Sequence, residues 1–144
     1  MLVDDFGQFL KEVQSRRRVG RVGGIALPRP AELDERQSAD LAAETCSLRA
    51  LGDRWIDIHD QDAEMLVEDF LSRDLAYNVP GMLVREAPAL AARFMTFTRT
   101  PRTCLTNTSS RRGAWHPLSS ATVDAGVACI DAEQIVLLWV EDED

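Results

Sequence analysis

The pattern of apolar and polar positions is most regular near the C-terminus of the chain. Residues 123–130 and 135–140 are two apolar runs, and the polar sequence Asp131-Ala132-Glu133-Gln134 separates them. Two short apolar runs joined by a four-residue polar connection are typical of a β-hairpin. The second run is apolar at every position, which indicates a strand that is covered on both faces. We therefore expect this hairpin at or near the middle of a sheet.

Upstream of this hairpin, apolar side chains recur at spacings of three and four and predict helices over residues 2–18, 38–51, 61–77 and 86–98. Asp60 is a plausible N-cap for the third of these helices. Shorter apolar runs predict strands near residues 19–27, 54–59 and 102–106. The predicted fold class is α+β, with an antiparallel sheet of four to five short strands and three to four helices packed mainly on one face. At 144 residues, the chain is expected to form a single domain over residues 1–144.

The charge of the chain is negative and unevenly distributed. The formal net charge is −8, and residues 53–144 hold 16 acidic against 8 basic side chains, whereas the acidic and basic side chains of residues 1–52 balance. This distribution disfavours direct binding to nucleic acid, which needs a basic surface. No apolar run is long enough for a membrane span, and the first residues, Met1-Leu2-Val3-Asp4-Asp5, do not have the basic-then-apolar pattern that an export signal is expected to show. We expect a cytoplasmic protein without a membrane partner, whose three widely spaced cysteines are free thiols.

Two acidic groups and one aromatic residue are the candidate partner-binding residues. The chain ends in four consecutive carboxylates, and the predicted helix over residues 61–77 has further acidic residues on its polar face. Trp115 follows a polar loop and is expected near the surface. Carboxylates in this number favour a basic protein partner. The partner-binding candidates are Glu141, Asp142, Glu143, Asp144, Glu64, Glu68, Asp69 and Trp115.

On this basis the function that the sequence favours is that of a small acidic binding protein that masks a basic partner, most plausibly an immunity protein that neutralises a bacterial toxin. The analogy is one of size and charge and does not rest on a motif. An accessory subunit or a self-associating domain without chemistry of its own is a third possibility. The sequence does not indicate the oligomeric state.

The alternative function is that of a small enzyme or a ligand- or metal-binding domain. Asp57, His59, Asp60 and Asp62 lie at the end of one predicted strand and the start of the next helix, and their oxygen and imidazole atoms could bind a metal ion. Carboxylates at a helix N-terminus are also favoured by the helix dipole alone. The sequence has no zinc-ligand spacing, phosphate-binding glycine motif or nucleophile elbow, so we expect no cofactor and no covalent catalysis.

Overall fold

The chain is described by a computed structural model that covers residues 2–77, 79–82, 85–109 and 113–143. Its strands are β1 Arg21–Pro28, β2 Ile56–Ile58, β3 Thr103–Thr106, β4 Thr108–Ser109, β5 Ala114–Trp115, β6 Val123–Ile130 and β7 Gln134–Asp142. Five of them form an antiparallel sheet in the order β1-β7-β6-β3-β2, while β4 and β5 pair with each other. The predicted hairpin is confirmed: β6 lies at the centre of the sheet and pairs with β7 from Ile130↔Ile135 to Val123↔Asp142.

Four helices cover the sheet, and the predicted fold class is confirmed. They are α1 Leu2–Arg16, α2 Glu35–Thr45, α3 Asp60–Ser72 and α4 Glu86–Met95. The buried side chains of α1, α3 and α4 pack on one face of the sheet, and those of α2 pack on the other face. The side chains of β7 alternate between the two faces, which is why this strand is apolar at every core position. None of these helices is both long enough and apolar enough to cross a membrane in the described part of the chain.

Two helices begin before the residue at which the apolar spacing predicts their start, and the predicted N-cap of the third helix is wrong. The second helix begins at Glu35, because Asp34 and Gln37 form a capping box one turn earlier than the predicted start at Ser38. The third helix begins at Asp60, with His59 as its N-cap residue. Asp60 does not cap the helix. Its Oδ2 instead accepts a hydrogen bond from Nε of Arg102 at 3.1 Å, which ties the first turn of α3 to the start of β3.

Candidate functional site

A groove of about 650 Å³ lies between α3 and the strands at one end of the sheet. One wall is formed by α3 and the residues that follow it, and the opposite wall by β4, β5 and the start of β6. The α3 wall includes Asp62, Met65, Leu66, Asp69, Arg73 and Leu75. The opposite wall includes Thr108, Ser109, Trp115, Val123 and Ala125.

The α3 wall arises because this helix has two stripes with helical spacing. One stripe is buried in the core and comprises Ala63, Val67, Phe70 and Leu71. The apolar spacing also predicts Leu66 and Leu75 in this buried stripe, but both are only partly buried and line the groove. The second stripe runs from Asp62 through Met65 and Leu66 to Asp69 at spacings of three and four, and it lines the groove. Met65 is 59% exposed. A large apolar side chain on the outer stripe of a helix that already has a complete core stripe is available for a partner.

Trp115 is the aromatic residue of the opposite wall. It is 41% exposed, whereas Trp55 and Trp139 are buried, so the expectation that Trp115 lies near the surface is confirmed. Its ring is nevertheless held in place, because its Nε1 donates a hydrogen bond to the backbone oxygen of Asp124 at 3.0 Å. An indole that is fixed by its N–H and exposed on its ring can offer apolar area to a partner with little loss of conformational entropy.

Asp124 is a buried carboxylate that fixes the strand wall of the groove. Its side chain accepts hydrogen bonds from Asn107 Nδ2 at 2.8 Å, from the Ser119 backbone N–H at 2.8 Å and from the Ser119 hydroxyl at 2.7 Å. The backbone N–H of Leu118 donates to it as well, at 3.1 Å. Asn107 in turn accepts from the backbone N–H of Gly126 at 2.8 Å. These bonds join the β4–β5 hairpin and residues 116–119 to β6 and thereby set the position of Trp115.

The C-terminal carboxylates have different environments, and the expectation that all of them are exposed is wrong for Asp142. Its side chain is fully buried and forms a two-pronged ion pair with Arg17, with contacts of 2.7 and 2.9 Å. It also accepts from the backbone N–H of Leu75 at 2.7 Å. Since Leu75 lines the groove, Asp142 supports the groove wall from behind and is not available to a partner.

Arg17 is satisfied on all three of its nitrogen atoms. Besides Asp142, it donates to the backbone oxygens of Phe70 at 3.1 Å, Val19 at 2.6 Å and Arg73 at 2.8 Å. The guanidinium thus joins the end of α1, the end of α3 and the end of β7. Gly20 is needed beside this pair, because it has a φ of +59° and a Cβ there would lie 1.9 Å from Oδ1 of Asp142.

The other predicted acidic residues are divided between the groove and other surfaces. Asp69 lines the groove and pairs with Arg73 at 2.8 Å. Glu64 and Glu68 lie half-buried on α3 but do not line the groove. Glu141 accepts from Nε1 of Trp139 at 3.1 Å, and the exposed Glu143 accepts from the hydroxyl of Thr122 at 2.7 Å. Asp144 lies outside the described residues.

The residues of the alternative site are not gathered around one point. Asp57 pairs with Arg36 at 2.6 Å, and Asp60 pairs with Arg102. Asp57, His59 and Asp60 line a second cavity of about 400 Å³ together with Arg102, whereas Asp62 lines the groove. Within residues 2–77, 79–82, 85–109 and 113–143, no three His, Cys, Asp or Glu side chains form a group that could hold a metal ion. Arginine side chains therefore pair with two of these carboxylates, and the arrangement does not support a metal centre.

Two residues of the site, Met65 and Asp124, were not identified from the sequence. Met65 could have been identified as a groove residue, because its spacing of three from Asp62 and four from Asp69 places the three residues on one face of α3. That face is separate from the one that is buried in the core. Asp124 could also have been identified, since a single carboxylate inside an apolar strand must be buried with hydrogen-bond partners.

The chain matches no model of a known protein family, no curated protein and no solved structure. Function is therefore inferred from the geometry of the site.

Proposed function

We propose that this chain is a binding protein that receives an apolar side chain of a basic protein partner in the groove between α3 and Trp115. The observation that carries the proposal is Trp115, an indole that is 41% exposed while its N–H is already bonded inside the protein. Tryptophan is among the residues most enriched at the energetically dominant positions of protein interfaces. Met65 extends the same apolar surface on the other wall, and methionine adapts to partners of different shape.

The charge of the groove helix supports a basic partner. α3 contains five acidic residues and no basic residue over Asp60–Ser72. Arg102 and Arg73 neutralise Asp60 and Asp69. The side chain of Asp62, which lines the groove, makes no hydrogen bond or ion pair with any described residue. A carboxylate at the rim of an apolar groove favours an arginine or lysine beside the inserted apolar side chain, and it would accelerate association in a salt-dependent way.

The more specific form of the proposal is that the protein acts in the cytoplasm as an immunity protein that masks the basic surface of a bacterial toxin. A net charge of −8 is complementary to such a surface. Three free cysteines accord with a reducing compartment. Inhibition by masking needs no chemistry of the inhibitor itself, so this role depends on the groove and on Asp62 in its wall.

Site-specific photocrosslinking tests this proposal. A photoreactive amino acid is placed at the position of Met65 inside the groove and, as a matched control, at the position of Lys11, which is exposed on α1 and does not line the groove. Both proteins are irradiated in lysate of the source organism, and crosslinked partners are identified by mass spectrometry. We expect a basic protein to be crosslinked from the position of Met65 and not from that of Lys11. The same partners from both positions, or only acidic partners, would contradict the proposal.

A further inference from the structure

Cys104 and Cys129 face each other on the two neighbouring strands β3 and β6. They are directly opposite in the strand register, and their Sγ atoms are 3.4 Å apart. Both side chains are buried, and both are free thiols. The pair lies on the sheet face that α1, α3 and α4 cover. The function proposed above makes no use of these two thiols.

The position of the two cysteines is compatible with a disulfide. Directly opposite residues of antiparallel strands have Cα atoms about 4.5 to 5.5 Å apart. Disulfides span Cα separations of about 4.4 to 6.8 Å, with sulfur atoms about 2 Å apart. Because the two Sγ atoms are already in contact at 3.4 Å, side-chain rotation and a small shift of the strands are enough to join them.

Cys104 also borders a cavity and has a neighbouring proton acceptor. It lines the cavity of about 400 Å³ whose wall includes the exposed residues Asp57 and His59. The thiol of Cys104 donates to Oδ1 of Asp60 at 3.4 Å. Oδ2 of Asp60 is held by Arg102, which itself donates to the backbone oxygens of Met95 and Thr98, each at 2.7 Å. A fixed carboxylate beside a thiol can accept its proton when the sulfur attacks.

We propose that Cys104 and Cys129 form a redox-active dithiol that hydrogen peroxide oxidises to a disulfide through this cavity. In the first step, the sulfur of Cys104 attacks one peroxide oxygen, its proton passes to Asp60, and the O–O bond breaks. The departing hydroxide takes up that proton to give water, and Cys104 becomes a sulfenic acid. In the second step, the sulfur of Cys129 bonds to that of Cys104, and the S–O bond breaks. The released hydroxide and the thiol proton of Cys129 form a second water, so that the two thiols lose two electrons and the peroxide gains them.

The two cysteines have different roles in this sequence. Cys104 borders the cavity and is the sulfur that meets the oxidant, whereas Cys129 lies behind it. The hydrogen bond with Cys104, together with burial, raises the pKa of Cys129 well above its ordinary value. Cys129 therefore remains a protonated thiol until Cys104 has been oxidised, which makes it the resolving residue.

Mass spectrometry of the folded protein tests this inference. The protein is exposed to hydrogen peroxide without denaturant, then unfolded and alkylated, and its peptides are mapped. We expect loss of two hydrogen atoms, a peptide pair joined through Cys104 and Cys129, and full reversal by a reducing agent. The matched control is Cys46→Ser, which removes the third, half-buried thiol and should form the disulfide at an unchanged rate.

Two variants define the order of the steps. Cys129→Ser should retain a sulfenic acid at Cys104 that a dimedone probe labels, whereas Cys104→Ser should leave Cys129 unlabelled. If either variant fails to fold, the disulfide mapping of the peroxide-treated wild-type protein tests the inference without it. The inference is overturned if Cys104 and Cys129 both remain alkylatable after peroxide has oxidised Cys46. It is equally overturned if the disulfide forms only in denaturant.

Discussion

The acidic residues at the end of β7 and those on α3 differ in what they do, although both are dense runs of carboxylates in the sequence. At the end of β7, Asp142 is fully buried against Arg17, and Glu141 accepts a hydrogen bond from Trp139. On α3, the side chain of Asp62 borders the groove without a partner among the described residues, whereas Glu64 and Glu68 are half-buried and do not line the groove.

The difference shows that the position of a carboxylate in the fold decides whether it is buried in an ion pair or accessible, which the number of charges in the sequence does not indicate. A carboxylate that meets a guanidinium and a backbone N–H in the interior stabilises the folded state and is hidden from partners. A carboxylate at the rim of an apolar groove contributes little to stability but can attract a charged partner. Substitutions of two buried carboxylates, Asp142 and Asp131, and of residues in and outside the groove separate these two roles, beginning with the largest expected effect.

Asp142→Asn should cause the largest loss of stability. The substitution removes the charge that balances the buried Arg17, and breaking a buried ion pair from one side costs about 3–5 kcal/mol. Denaturant unfolding measures this loss as a lower midpoint at unchanged slope. The matched control is Glu143→Gln at the exposed neighbouring position, which should change the unfolding free energy by less than about 0.5 kcal/mol. A loss of unfolding free energy below about 1 kcal/mol for Asp142→Asn would show that the Arg17–Asp142 ion pair contributes little to the stability of the folded state.

A smaller effect is expected from Asp131, a carboxylate in the turn between β6 and β7. Burial raises its pKa, but hydrogen bonds from the backbone N–H groups of Arg99, Glu133 and Gln134 outweigh burial, so that the pKa lies below its ordinary value of 3.8. Because the folded-state pKa is depressed, the stabilisation is complete above the unfolded pKa and is lost as the pH falls through the folded pKa.

The unfolding free energies of wild type and Asp131→Asn should therefore differ most near neutral pH and converge as the pH falls through the depressed folded-state pKa of Asp131. Thermal or denaturant unfolding at a series of pH values measures this difference. Asp57→Asn is a useful control, because its exposed pair with Arg36 contributes little to stability at any pH. A difference for Asp131→Asn that is constant with pH would contradict the assignment.

The sequence predicted those features that depend on local periodicity. The β6–β7 hairpin, α3 and the fold class follow from apolar spacing, and the exposure of Trp115 follows from the polar loop before it. The start of α2 was also present in the sequence, since the capping box of Asp34 and Gln37 precedes the predicted start. The burial of Asp142 was not predictable in this way, because its partner Arg17 is 125 residues distant in the chain. The groove depends on where α3 meets β5 and β6, which no local pattern specifies.

The central claim is that the groove at Trp115 binds the partner and that acidic residues elsewhere on α3 do not. The most direct test is the affinity of the crosslinked partner for wild type, for Trp115→Ala and for the double variant Glu64→Gln/Glu68→Gln, with the unfolding free energy of each protein measured in parallel. Removing a dominant interface tryptophan costs at least about 2 kcal/mol of binding energy, which corresponds to roughly a 30-fold weaker Kd. We predict this loss for Trp115→Ala, and a Kd within about twofold of wild type for the double variant. A Kd for folded Trp115→Ala that equals the wild-type value, or a larger loss for the double variant, would contradict the account.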